Sequence, residues 1–211
     1  KVFRRVFILL FSQIAGAGIN NSERYSMLLE KYSHSDRDPW IWTLAQLTDV
    51  PDIVRMAQSL FQCEIDSFFT PDPNLFSRNV AMGIIRQMYN IFHEQLLIAR
   101  HRDTDDLMAY TWTSRYAYMS YAHEEMAEVR FAHVDLALPA RTRVRLVAQM
   151  IQHWYIWAQR SGIPILVSTS IRRDQEAFMR LHIAAGFDLR GSIGYLKVLP
   201  PALPIQKSGK V

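Results

Sequence analysis

A strand, a long helix and a second strand follow one another between residues 129 and 170, and this order restricts the fold more than any other feature. The segment Val129–Leu138 is predicted to be a central strand that ends at Pro139. Apolar residues then recur at helical spacing over Thr142–Ser161, and Gly162 is the expected stop for this helix. The β-branched run Pro164–Ser170 predicts a strand that returns parallel to the first through a right-handed crossover.

Helical and strand patterns also alternate on both sides of this unit. Asp174 is expected to begin a further helix, which Gly186 ends. The order from Trp40 onward is strand, two helices, three strands, helix, strand, helix and strand, which predicts an α/β (α+β) fold with helices covering a mixed sheet. The other expected elements are a strand at Trp42–Leu47, a helix that begins near Thr48 or Asp49, a helix with Val80, Ile84, Met88 and Ile91 along one side, and a hairpin of Gln95–Arg100 with Leu107–Ser114.

The length of 211 residues suits one domain with appendages. Residues 1–38 differ from the rest, because a basic start precedes the uncharged stretch Val6–Asn21 and a polar linker follows. This pattern fits a signal peptide or an apolar arm that docks on its own domain or on a partner, and we favour the arm. We therefore divide the chain into an N-terminal arm and linker (1–38), a folded domain (39–199) and a Pro-rich extended tail (200–211).

Composition gives few direct indications of function. The chain has 24 Lys+Arg against 20 Asp+Glu, and this net charge of +4 is too small to indicate a nucleic-acid partner. Nine basic and three acidic residues lie between Arg141 and Lys197, a net of +6, which indicates a local anionic ligand or a solvated basic face. Cys63 is the single cysteine, so an internal disulfide and a Cys-only metal site are excluded, and we predict no metal site. No apolar run reaches the ~20 residues that span a bilayer.

Two segments resemble the GNAT (N-acetyltransferase) superfamily. The segment Phe178–Phe187 resembles the penultimate helix of the family, which commonly ends in a Leu-Tyr…Gly-Phe pattern. Leu181, Gly186 and Phe187 match this pattern, and His182 replaces the tyrosine. The strand, arginine-bearing turn and long helix between residues 129 and 161 resemble the acetyl-CoA-binding unit. The resemblance covers roughly residues 40–199 and implies acetyl-CoA as cofactor, with a sheet that splays between its two parallel strands.

The same resemblance implies an acetyl-CoA site at the turn before the long helix. The family's turn usually reads Arg/Gln-x-x-Gly-x-Gly/Ala, and its backbone N–H groups bind the pyrophosphate at the helix N-terminus. With Arg143 in the first position, Leu146 and Ala148 replace the small residues; with Arg141 there, Val144 and Leu146 do. Arginine side chains are therefore expected to capture the phosphates, or else to form salt bridges with residues 123–128 or another subunit. The implied cofactor-binding residues are Leu138, Arg141, Arg143, Arg145, Leu146 and Ala148.

Four residues are candidates for the acid–base chemistry of acyl transfer to an amine. The resemblance places His182 where a tyrosine often serves as the acid for the leaving thiolate. Glu128, His133 and Asp135 lie on the central strand, and one of them is expected to deprotonate the acceptor ammonium. Strict alternation along that strand predicts that Glu128 faces away from His133 and Asp135. Each of the four also has a structural interpretation, as a paired charge or as a histidine on a helix flank.

Two functions are compatible with these features. The first is a GNAT-fold N-acetyltransferase that transfers acetyl from acetyl-CoA to an unidentified amine. The second is a catalytically inactive GNAT-fold structural or assembly protein, for example a phage virion component, whose terminal arms bind protein partners or further copies of the chain. We favour the first, and we expect a cytoplasmic protein or one assembled into a virion-like particle rather than a secreted one. The sequence motifs of zinc proteases, serine hydrolases and phosphate-binding loops are not present.

Overall fold

The structure is a computed structural model that describes residues 38–64, 69–170 and 176–190. Within these ranges the chain forms one mixed sheet and four α-helices. The strands are β1 (Trp40–Leu44), β2 (Glu94–His101), β3 (Leu107–Tyr118), β4 (Glu125–Val134) and β5 (Ile165–Ser168). The helices are α1 (Val50–Glu64), α2 (Pro73–Tyr89), α3 (Ala140–Arg160) and α4 (Glu176–Ala184).

The strands lie in the order β1-β2-β3-β4-β5. The first four are antiparallel to their neighbours, and β4 and β5 are parallel. The α/β fold expected from the sequence is thus confirmed, including the β2–β3 hairpin and the strand–helix–strand crossover of β4, α3 and β5. Gly162 follows α3 with φ +69°, the left-handed conformation that commonly ends a helix, as the sequence predicts.

Several element boundaries differ from those expected. The strand β1 begins and ends earlier than predicted, because Leu47–Asp49 forms a short 3₁₀ helix in which the Asp49 carboxylate accepts a hydrogen bond from the Gln46 amide at 2.7 Å. β4 ends at Val134 rather than Leu138, because the Asp135 side chain accepts a hydrogen bond from the Ala137 amide and turns the chain.

The predicted apolar side of the second helix was also wrong at its end. Val80 and Ile84 are fully buried, but Met88 is 73% exposed and Ile91 lies beyond the helix, which ends at Tyr89. The Asn90 amide still bonds to the Arg86 carbonyl, while Asn90 itself is extended. The helical spacing of apolar residues in the sequence therefore extends beyond the residues that form the buried side of the helix.

Different helices cover the two faces of the sheet, and each pair buries its own apolar cluster. Burial of this kind is the main stabilising term, about 25 cal/mol per Å² of apolar surface. On one face α1 and α2 contribute Val50, Ile53, Ala57, Phe76, Val80 and Ile84, which pack on Leu96, Ile98, Tyr110 and Trp112. On the other face α3 and α4 contribute Leu146, Met150, Ile151, Trp154, Leu181 and Ala184, which pack on Ala99, Ala109, Val129 and Val134.

A buried polar network ties the start of the described domain to α3. The Gln149 side chain, 1% exposed, accepts hydrogen bonds from the indole N–H groups of Trp40 and Trp42 at 2.8 Å and donates one to Asp38 at 3.0 Å. The other carboxylate oxygen of Asp38 lies 2.7 Å from a guanidinium nitrogen of Arg145. Asp38, which the sequence placed at the end of the linker, is therefore part of this buried network.

Gly83 allows α2 to approach β3 closely. A Cβ at this position would lie 2.6 Å from Cζ2 of Trp112, well inside van der Waals contact. The Trp112 indole N–H donates to the Glu94 carboxylate at 3.0 Å, and that carboxylate also accepts from Arg86 at 2.6 Å. Trp112 cannot shift away from Gly83 without disturbing these bonds.

Several predictions lie outside the described residues. They concern the N-terminal arm, the Pro-rich tail, the start of the last helix near Asp174, and most of the one or two strands expected over Phe187–Leu199. Residues 187–190 of that last segment are described and form no strand. The side chain of Cys63 is likewise not described. Among the helices of the described residues, none combines the length and apolar character that a membrane crossing requires.

Candidate functional site

The central feature of the site is an opening between β4 and β5. The two strands pair only from Met126 with Ile165 to Val129 with Ser168. β4 then continues to Val134, and no described strand pairs with this part of β4 on the β5 side. Among the described residues this part of the β4 edge therefore has no strand partner, and an extended ligand could bond to it, because strand N–H and C=O groups require partners. As the resemblance implies, the pairing of these two strands stops at one end.

A β-bulge lies where the opening begins. On β3, Trp112 pairs with Phe131 and the next residue, Thr113, pairs with Val129, so Arg130 is the extra residue of β4. Bulges of this kind often occur next to active sites, because they redirect side chains. The Arg130 guanidinium lies over the Trp112 ring, 4.9 Å from its centroid.

The bulge overturns the predicted orientation of Glu128. Val129 packs with the α3 and α4 cluster, so Glu128 beside it points to the α1 and α2 face. His133 also lies on the α1 and α2 face, because its ring contacts Phe61 of α1. Strict alternation predicted opposite faces for Glu128 and His133; that prediction is wrong because Arg130 adds one residue between them.

The N-terminus of α3 lies at the open end of this gap. α3 starts directly after the turn that follows β4 and runs back to β5, so its first turn lies beside the carboxyl end of β4. Pro139 is the N-cap residue and makes no side-chain capping hydrogen bond. The first amide N–H groups of α3 thus remain available, and such a helix end attracts anions.

The three arginines of this helix start have different surroundings. Arg141 is exposed. Arg143 is partly buried, and its Nε has no hydrogen-bond partner among the described residues. Arg145 is engaged with Asp38, whose side chain is 0% exposed, and lies over the Trp40 ring. Arg141 and Arg143 are therefore the better placed for an external anion.

The remaining residues of the predicted cofactor turn face the core. Leu146 and Ala148 are 0% exposed, and Leu146 belongs to the apolar cluster under α3. Leu138 is partly buried and packs against the same cluster. These three side chains support the turn from its core side. Their direct contact with a cofactor stays a prediction.

His182 is fully buried and bonded on both ring nitrogens. Its Nδ1 lies 2.9 Å from the Phe178 carbonyl oxygen, and its Nε2 lies 3.0 Å from Oγ of Ser168. The rings of Trp154 and Phe187 pack around it. Burial lowers the pKa of His182, with the bond to the Phe178 carbonyl opposing that shift in part, so the ring is neutral at neutral pH.

The other candidate bases are separated along β4 and the turn that follows it. Glu128 is exposed near the start of the opening. His133 is buried, with its Nδ1 2.5 Å from the Tyr110 hydroxyl. Asp135 lines a cleft of about 430 Å³ between α1, the β2–β3 turn and Leu138. Five strand positions separate Glu128 and His133, or about 15 Å, so these side chains do not form one cluster.

Sequence reasoning missed two components of this site. Ser168 was identified only as part of a strand, and Arg130 was not singled out. A β-branched strand ending in serine, followed by a histidine-bearing helix, was the available indication for Ser168. Among the described residues no group of three His, Cys, Asp or Glu side chains is arranged to hold a metal ion.

No family model and no curated protein matches the sequence. The structure is nevertheless similar to solved N-acetyltransferases. An aminoglycoside antibiotic 6'-N-acetyltransferase from Acinetobacter baumannii is 18% identical, with a TM-score of 0.54 over 76% of this chain and 99% of that chain. A predicted acetyltransferase with acetyl-CoA from Clostridium acetobutylicum is 11% identical, with a TM-score of 0.55 over 75% and 96%.

A third similar structure is glucosamine-6-phosphate N-acetyltransferase from Arabidopsis thaliana. It is 9% identical, with a TM-score of 0.53 over 77% of this chain and 100% of that chain. The matched part of this chain thus spans these proteins almost completely. The chain has the fold of the GNAT N-acetyltransferases.

Proposed function

We propose that this chain is an N-acetyltransferase that transfers the acetyl group of acetyl-CoA to an amine. The observation that carries the proposal is the separation of β4 from β5 after Val129 and Ser168. It leaves a backbone edge for an extended, amide-containing ligand and leads to a helix N-terminus suited to its phosphates.

The phosphate end of the ligand is assigned to the first turn of α3. The uncapped N-terminus fits an anion, and Arg143 forms no ion pair among the described residues that would hold its guanidinium away from it. Arg141 is exposed beside them and can form charge-assisted bonds. The turn lacks glycine, so side chains restrict how closely a phosphate approaches the amides, and the arginines supply more of the binding energy.

The acyl end is assigned to the bulge. Glu128 is exposed next to Val129, where the opening begins, and its carboxylate can take a proton from the acceptor ammonium. Asp135 lies beyond the other end of the opening, nearer to the phosphate end. Among the predicted bases we therefore favour Glu128. His182 can supply the proton for the leaving thiolate only after its neutral ring has accepted one at Nε2. When bound, acetyl-CoA supplies an activated acyl carbon; the residues supply orientation and proton transfer.

The direct test is release of free CoA thiol by the full chain in the presence of acetyl-CoA and a panel of primary amines. Amine-dependent thiol release together with acetylated product is the expected result. Binding of acetyl-CoA without acetylation of any amine would support the acetyl-CoA site but contradict the proposed transferase activity. The assembly alternative depends on the terminal arms, residues 1–38 and 200–211, and apart from Asp38 these lie outside the described residues.

A further inference from the structure

Ser168 and His182 have the bonding pattern of an activated nucleophile. A carbonyl oxygen only accepts hydrogen bonds, so the proton facing the Phe178 carbonyl must be carried by Nδ1 of His182. In a neutral ring Nε2 is then an acceptor, and the Ser168 hydroxyl donates to it over 3.0 Å. A serine, a base within hydrogen-bond reach and a third group that fixes the base are the components of nucleophilic catalysis.

The surroundings keep His182 in this state. The ring is buried between Trp154, Phe178 and Phe187, with centroid distances of 4.4 to 5.9 Å. Burial disfavours the charged imidazolium, so the lone pair on Nε2 is available at neutral pH. This geometry suits a base first; His182 can donate a proton only after it has accepted one.

The position of Ser168 connects the pair to the opening. Ser168 is partly exposed and forms the last pair of β5, opposite Val129 of β4. The β4 edge beyond Val129 offers backbone N–H groups of the kind that stabilise an oxyanion. The base is thus buried, whereas the hydroxyl that it polarises lies at the site assigned to the acyl group.

We propose that Ser168 is a nucleophile that accepts the acyl group from a thioester, with His182 as its base, so that the protein forms an acyl-serine and hydrolyses thioesters when no amine is present. The choice of a thioester as the acyl donor rests on the proposed function. The Ser168 hydroxyl proton passes to Nε2 of His182 while Oγ bonds to the acyl carbon. The carbon–sulfur bond then breaks, and the thiolate takes the proton from His182. An amine or water next bonds to the acyl carbon and gives a proton to Nε2 of His182. The bond between the acyl carbon and Oγ then breaks, and Oγ of Ser168 takes that proton back.

The test uses the full chain, with acetyl-CoA or p-nitrophenyl acetate and no amine, followed by acid quenching and mass spectrometry. We expect a gain of one acetyl group, located on Ser168, from both reagents. Ser168→Ala should abolish the adduct, Ser168→Cys should retain it, and Ser170→Ala is the matched control that should label like the unmodified chain. His182→Gln should slow acylation about 100-fold or more.

The pH dependence separates this role from a packing role. Because the pKa of His182 is lowered, the acylation rate should be constant near neutrality and fall only below about pH 6.5, as the ring becomes protonated. A merely structural bond between Ser168 and His182 would leave no adduct and no such profile.

The outcomes also separate the two proposals. Amine acetylation without any adduct, and unaffected by Ser168→Ala, would overturn the nucleophile and leave the transferase intact. Labelling of Ser168 by p-nitrophenyl acetate alone, with no binding of acetyl-CoA, would support the nucleophile and contradict the transferase. The absence of labelling from both reagents in the folded chain overturns the nucleophile.

Discussion

Val129 of β4 and Ser168 of β5 form the last pair of their two strands, and the assigned site begins at this pair. Next to Val129 lies the bulge residue Arg130, and next to Ser168 lies the imidazole of His182. A change in backbone register and a change in strand pairing thus coincide at one position of the sheet.

Arg143→Ala should weaken acetyl-CoA binding about tenfold to a hundredfold, because a charge-assisted bond to phosphate contributes about 1.5–3 kcal/mol. Arg141→Ala should act in the same direction. Both losses should shrink at high salt, because the contacts are partly exposed. Isothermal titration calorimetry at two ionic strengths measures the effect.

Arg160→Ala is the matched control for these variants. Arg160 lies in the last turn of the same helix, at the end away from the opening, and its removal changes the net charge equally. Equal losses of affinity for acetyl-CoA in Arg160→Ala and Arg143→Ala would show that only the overall charge matters, and would contradict a phosphate site at the start of α3.

Glu128→Gln should lower the rate of acetyl transfer by about 10²–10⁴ while leaving the affinity for acetyl-CoA unchanged, because it removes a base but not a phosphate contact. Steady-state kinetics with the best amine of the panel and calorimetry with acetyl-CoA measure the two quantities. Glu124→Gln, an exposed neighbour before β4, should have no effect on either. Full activity of the Glu128→Gln variant would show that Glu128 is not the general base.

A chain that lacks residues 1–36 should be more stable than one that lacks residues 1–38 by about 1–3 kcal/mol, because only the first keeps Asp38 with Gln149 and Arg145. Urea unfolding gives the two free energies of unfolding. Asp38→Ala in the full chain should reproduce only the side-chain part of the loss, because the backbone carbonyl of residue 38 still accepts a hydrogen bond from Arg102. Equal stability of the two truncated chains would show that water replaces Asp38 at no cost.

Gly83→Ala should destabilise the domain by about 1–2 kcal/mol, although alanine favours helices, because its Cβ would lie 2.6 Å from Cζ2 of Trp112. Asn79→Ala changes an exposed position of the same helix and should have little effect or stabilise slightly. Thermal unfolding of both variants makes the comparison. A Gly83→Ala chain as stable as Asn79→Ala would mean that Trp112 moves freely.

The sequence was sufficient to predict elements such as the helix over Thr142–Ser161 and its end at Gly162, because these depend on the local spacing of apolar residues and on one glycine. It was insufficient for the bulge, because one extra residue at Arg130 changes hydrogen-bond register without changing composition. The bond between Ser168 and His182 joins different elements, so no spacing rule predicts it. The network of Gln149 with Asp38 spans 111 positions and depends on the tertiary fold.

Calorimetric titration of the full chain with acetyl-CoA tests the central claim most directly. We expect saturable heat with one site per chain, a rise in thermal stability on saturation, and a weaker affinity for Arg143→Ala. No heat and no thermal shift at millimolar acetyl-CoA, from a chain that circular dichroism shows to be folded, would contradict the assignment of the β4–β5 opening as an acetyl-CoA site.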